Sequence, residues 1–103
     1  SDRGWSAGIY DEGRRGWLYP GPKGGDAKAF TEQGIKLYKP EDWNSVRIEC
    51  QGNSIKTYLN GELRADFEDD LTPSGFIGLQ VHGVGKVTEP LYAMWRNIRI
   101  KEL

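Results

Sequence analysis

The chain is poor in the residues that usually anchor chemistry: among its 103 residues there is one cysteine, one histidine and one methionine. A single cysteine, Cys50, excludes an internal disulfide. It falls on the apolar parity of an alternating stretch, where a buried free thiol is the expected state rather than a nucleophile. No apolar run approaches the ~18 residues of a membrane span, and nothing resembles a signal peptide, so the chain is expected to be soluble. Charge of one sign is also missing: 14 basic against 15 acidic side chains leave a net charge of -1, interspersed along the chain. Without a basic stripe to neutralise phosphates, neither a nucleic-acid nor a membrane partner is expected. Uninterrupted helix-forming runs are scarce as well. With 14 glycines, 5 prolines and 12% aromatic residues, the chain reads as an all-β single domain spanning residues 1–103, with many turns.

The stretch Gly75–His82 shows the pattern most clearly. Ile77, Leu79 and Val81 alternate with Gly78, Gln80 and His82, which predicts a half-buried strand whose outer face carries an amide, the only imidazole and a glycine gap. Such a face suits a shallow groove for a flat ligand such as a sugar ring.

Chemistry is densest at Tyr10-Asp11-Glu12-Gly13-Arg14-Arg15-Gly16-Trp17-Leu18-Tyr19. On an extended strand neighbouring side chains point to opposite faces, so Asp11 and Glu12 share a face only if Gly13 marks a bend, and only one of Arg14 and Arg15 looks into a groove. A charged hairpin closed by local ion pairs is the simpler reading of the same residues. Trp17 suits either a core or a stacking platform. The run Pro20–Asp26 is a loop. Residues 27–38 predict one helical turn followed by an extended segment, because Gly34 interrupts a longer helix, and Pro40-Glu41-Asp42 turns the chain.

Residues 43–67 read as a three-stranded meander. Val46, Ile48 and Cys50 alternate with Ser45, Arg47 and Glu49; Gln51-Gly52-Asn53 turns; Ile55, Thr57 and Leu59 form the next strand. Asn60-Gly61 then signals a type I′ hairpin, and Leu63, Ala65 and Phe67 face inward against Arg64 and Asp66. Trp43 and Trp95 are expected in the core. In the last strand, residues 91–103, Ile98 and Ile100 alternate with Asn97, Arg99 and Lys101, and Trp95 keeps the apolar parity only with a bulge near Arg96-Asn97. These elements together predict an antiparallel β-sandwich of jelly-roll type.

Trp43-Asn44, Arg47-Ile48-Glu49-Cys50, the Asn60-Gly61 hairpin, Gly75–His82 and Trp95-Arg96-Asn97-Ile98-Arg99-Ile100 carry a resemblance. The chain resembles the C-terminal half of the 3-keto-disaccharide hydrolase domain family, whose fold is a concanavalin-like jelly roll. A half-length sandwich would leave sheet edges and an apolar face open, so the chain is expected to complete itself as a homodimer or higher homo-oligomer. The resemblance implies hydrolysis of a glycoside whose sugar carries a ketone at carbon 3, with a saccharide as ligand and a periplasmic or extracellular setting. It assigns Glu12 or Asp11 as base or metal ligand, and His82 as acid, base or ligand. Arg14 or Arg15 would stabilise the enolate, Gln80 orient a hydroxyl, and Trp17 or Trp95 stack on the sugar. A divalent metal ion is compatible with this set, although no ligand spacing demands it. The other readings are a non-catalytic carbohydrate-binding module and a half-domain whose main property is self-association.

Overall fold

The computed structural model describes residues 3–80, 85–86, 88 and 92–103. They divide into two compact units, Ser1–Pro73 and Ser74–Leu103. The first unit is mostly β, with two antiparallel sheets and one helix.

A short hairpin opens it, with β1 at Ile9–Asp11 and β2 at Gly16–Tyr19. The second sheet is the meander expected from alternation: β3 at Val46–Gln51, β4 at Ser54–Leu59 and β5 at Glu62–Glu68, in the order β3-β4-β5. The Asn60-Gly61 turn takes the backbone its residues favour, with φ of 50° and 86°. Asn60 is also a joint: its amide nitrogen donates to the Leu37 carbonyl at 2.7 Å, and its amide oxygen accepts from the Ser45 N–H at 2.8 Å.

Straight alternation fails in β5, where Thr57 faces Ala65 but Tyr58 faces Leu63, so that Arg64 is an inserted residue. This bulge turns Arg64 onto the same side as Ala65, leaving them 3% and 0% exposed, while Leu63 turns outward. The expectation of Leu63 inside and Arg64 outside is thereby reversed. The buried guanidinium is satisfied by four oxygens. Nε donates to Ser6 O at 3.1 Å, Nη1 to Phe30 O at 2.7 Å and Gln33 Oε1 at 2.9 Å, and Nη2 to Gly4 O at 2.6 Å. Its carbon lies 3.5 Å from the Phe30 ring centroid. Burial pulls the Arg64 pKa downward, yet a guanidinium keeps its charge even so.

The helix is longer than the sequence suggested. α1 runs over Ala27–Leu37, capped by Asp26, whose carboxylate accepts from the Ala29 N–H at 2.9 Å. Gly34 does not break it. A glycine within a helix costs about 1 kcal/mol relative to alanine, but here Phe30 and Gly34 form the buried stripe of α1. A side chain at position 34 would collide with the Gly4 carbonyl and the Arg64 guanidinium. Close packing has overridden helix propensity.

The core holds Leu18, Phe30, Leu59, Ala65 and Phe67, joined by the stack of Tyr19 on Phe67. Directly paired residues share a face, so Val46, Ile48 and Cys50 on β3 lie on the same side as Leu59, Thr57 and Ile55. Val46 and Ile48 are nonetheless 56% and 65% exposed, and Cys50 is exposed too, contrary to the buried thiol expected. The packing over this face reaches β4 and β5 but leaves the β3 stripe open.

Trp43 and Trp95 are 40% and 44% exposed and do not belong to the core as expected. In the second unit, the described residues form neither helix nor strand. The strands expected at Gly75–His82 and residues 91–103 are therefore absent from their described portions, Gly75–Gln80 and residues 92–103. Alternation supplies only the potential for a strand; paired backbone groups make one. Val81, His82 and residue 91 lie outside the described residues. Asn97 has φ 56°, but with no strand among the described residues 92–103 the bulge expected near Arg96-Asn97 has no ladder to interrupt. Among the described residues no helix is long and apolar enough to cross a membrane.

Candidate functional site

The β1–β2 hairpin gathers most of the side chains singled out in the sequence. Asp11 pairs with Gly16 and Tyr10 with Trp17, and residues 12–15 form the turn between them. Gly13 and Gly16 have φ of 77° and 72°, a left-handed backbone that favours glycine and lets the chain reverse within four residues.

That reversal changes the geometry expected of an extended strand. Both arginines reach the same carboxylate: Arg14 Nε donates to Asp11 Oδ1 at 2.9 Å, and Arg15 Nε donates to Asp11 Oδ2 at 2.6 Å. The two guanidinium groups are therefore not divided between opposite faces. Arg15 continues outward, its Nη1 and Nη2 donating to the two carboxylate oxygens of Asp69 at 2.9 Å each, and Lys23 Nζ approaches Asp69 at 3.5 Å. Arg14 Nη1 donates to Thr72 Oγ1 at 2.9 Å. The cluster thus ties the hairpin to the segment that follows β5.

These contacts set the protonation of the two acids. The Arg15 guanidinium, followed by that of Arg14, holds the Asp11 carboxyl below its ordinary value. Arg15 holds Asp69 down to about 2. Asp69 and Asp11 in turn push Arg15 further up. A carboxylate so engaged is a weak base, which makes Asp11 an anchor for arginines. Glu12, beside it in the turn, is exposed and has no hydrogen-bond or ion-pair partner among the described residues. The two adjacent acids are thus chemically distinct.

The aromatic wall of the hairpin is continuous. Trp17 is half-buried, with Trp5 edge-on at 4.7 Å and Tyr10 tilted at 5.1 Å. The Arg3 guanidinium carbon lies 5.0 Å from the Trp5 ring centroid and 5.4 Å from that of Trp17. Trp5 is fixed by its Nε1–H, which donates to Thr31 Oγ1 at 2.8 Å. Of the two roles weighed for Trp17, the packing one is visible in these ring contacts, and Tyr10 beside it is 54% exposed.

Gln80 is exposed in the second unit, and His82 lies outside the described residues. Among the described residues no group of three His, Cys, Asp or Glu side chains gathers in a way that could hold a metal ion. A separate cleft of about 420 Å³ lies beside α1, lined by Tyr19, Asp26, Phe30, Gln33 and Arg64 among others.

Asp69, Thr72 and Trp5 were not singled out by sequence reasoning. Asp69 lies 54 residues from its Arg15 partner, and Thr72 lies 58 residues from Arg14. The only trace available was an acidic, proline-containing connection after the last strand of the meander. No curated protein matches the chain. The profile of one family matches residues 1–101, nearly the entire chain, and on that ground the chain belongs to the 3-keto-alpha-glucoside-1,2-lyase-like domain family.

Proposed function

We propose that this chain is a carbohydrate-active domain that cleaves the glycosidic bond of sugars already oxidised to a ketone at carbon 3. The observation that carries this reading is the family match over residues 1–101. The carbon-3 ketone acidifies the hydrogen on carbon 2. A base removes that proton, and the electron pair enters the enolate. When the enolate collapses, the carbon 1–oxygen bond breaks, a carbon 1–carbon 2 double bond forms and the ketone returns. The departing oxygen takes a proton and leaves as an alcohol; water added across the double bond completes a net hydrolysis. No oxidant or reductant is consumed.

Glu12, the carboxylate of the turn that has no partner among the described residues, is assigned as base, with Asp11 anchoring the arginines behind it. A guanidinium from the pair Arg14 and Arg15 faces the enolate oxygen, and the Tyr10–Trp17 wall takes the sugar ring by stacking. On sequence grounds, Gln80 orients a hydroxyl and His82 supplies the leaving-group proton. The test is release of free sugar from a 3-keto-glucoside. Loss of turnover in Glu12→Gln and in His82→Ala, with folding intact, supports these roles; unchanged rates in both overturn them. Binding without turnover by the unaltered chain would favour a carbohydrate-binding module, a reading supported by the exposed ring of Tyr10.

The finer architecture belongs to the same proposal: a jelly-roll sandwich completed by a second copy of the chain. The open apolar stripe Val46, Ile48 and Cys50 on edge strand β3 supports it.

A further inference from the structure

We propose that Arg14, rather than Arg15, is the guanidinium that meets the developing oxyanion, and that Asp69 and Thr72 are positioning residues that assign the two arginines their separate tasks. This rests on the reading of the hairpin as the site of 3-keto-glycoside cleavage.

A guanidinium carries five N–H donors on three nitrogens. In Arg15 all three nitrogens are committed to carboxylates: Nε to Asp11 Oδ2 at 2.6 Å, and Nη1 and Nη2 to Asp69 at 2.9 Å each. Its charge is met from two sides, and its fork is closed by a bidentate pair. Arg14 is held differently. Nε donates to Asp11 Oδ1 and Nη1 to Thr72 Oγ1, both at 2.9 Å, and Nη2 has no acceptor among the described residues. The Arg14 side chain is 48% exposed against 30% for Arg15.

An oxyanion donor must be fixed before the charge develops, and its N–H groups must be open to receive it. Arg14 meets both conditions, held at two points and open at the third. Arg15 meets only the first. Asp69 keeps Arg15 from competing for the Asp11 oxygen that Arg14 uses, while Thr72 sets the tilt of the Arg14 plane. Both positioning residues lie on one short connection after β5, so that segment governs both guanidinium groups.

The experiment compares kcat, KM and thermal midpoint for Arg14→Ala, Arg15→Ala, Asp69→Asn and Thr72→Val on a 3-keto-glucoside, with and without added guanidinium ion. Arg14→Ala is expected to lose about 100-fold or more in kcat, with a smaller change in KM, a midpoint near that of the unaltered chain and partial rescue by guanidinium. Arg15→Ala is expected to lower the midpoint, with a smaller loss in kcat and no rescue. Thr72→Val and Asp69→Asn should lower kcat without preventing folding. The reverse pattern, with the larger loss and the rescue at Arg15, overturns the proposal, as does an unchanged kcat in Arg14→Ala. If the unaltered chain turns over no 3-keto-glucoside, the functional reading fails, and formate titration followed by arginine side-chain NMR still decides the accessibility argument. Shifts confined to Arg14 support it; shifts at Arg15 overturn it.

Discussion

The hydrogen bond from Arg64 Nη2 to the Gly4 carbonyl, 2.6 Å long, passes through the space that a side chain at Gly34 would fill. Replacing Gly34 by alanine normally favours a helix. Here the added methyl meets backbone and a buried cation, neither of which can withdraw cheaply. Gly34→Ala should therefore destabilise the first unit by about 1–3 kcal/mol, against the propensity scale. Urea unfolding followed by circular dichroism reads the sign directly, and a stabilised variant would refute the packing argument.

Arg64 itself serves structure. Its four acceptors come from the N-terminal segment and α1, so one side chain on β5 ties both to the sheet. Arg64→Met retains most of the aliphatic volume but strands buried carbonyls, each costing about 1–3 kcal/mol when unpaired. The variant should lose stability, and amide exchange should rise first in α1 and residues 4–7.

Acid should loosen the hairpin. The folded Asp69 carboxyl titrates near 2, below its ordinary 3.8, because Arg15 stabilises the charged form. With a depressed folded pKa, the contribution is present in full above about pH 4 and is lost as pH falls from there through about 2. The Asp11 shift has the same direction. A plot of thermal midpoint against pH should fall across that window, and Asp69→Asn should flatten the fall while lowering the plateau at neutral pH. An identical slope in the variant would remove Asp69 from the acid response.

Self-association should depend on the open stripe of β3. Val46 and Ile48 are more than half exposed on β3, whose outer edge has no strand partner among the described residues, a combination that invites pairing with another chain. Light scattering is expected to report a dimer or larger species, and Ile48→Lys to shift it towards monomer without unfolding the meander. A monodisperse monomer in the unaltered chain would end this proposal.

Much of the fold was legible because its signals were local. The Asn60-Gly61 turn needs two positive φ angles, and its residues favour them, so β3, β4 and β5 fell close to their expected positions. Helix α1 was underestimated because Gly34 looks like an interruption until the Gly4 carbonyl and Arg64 are seen against it. Arg64 was assigned to the wrong face because parity cannot register an inserted residue. For Val46, Ile48 and Cys50 the parity was right, but a face is buried only where something packs on it. At the candidate site, composition picked out the hairpin and its charges. It could not rank Asp11 against Glu12, or Arg14 against Arg15, because the ranking depends on Asp69 and Thr72, which are remote in sequence and reach the arginines only through folding.

The insertion in β5 also bears on how related chains should be compared. A relative with one residue fewer between Asn60 and Phe67 would regain strict two-residue periodicity, and its counterpart of Arg64 would point to water. Its interior would then need another way to bind the N-terminal segment to the helix. The length of that hairpin, more than the identity of any side chain in it, should divide members that share this internal cation from those that do not.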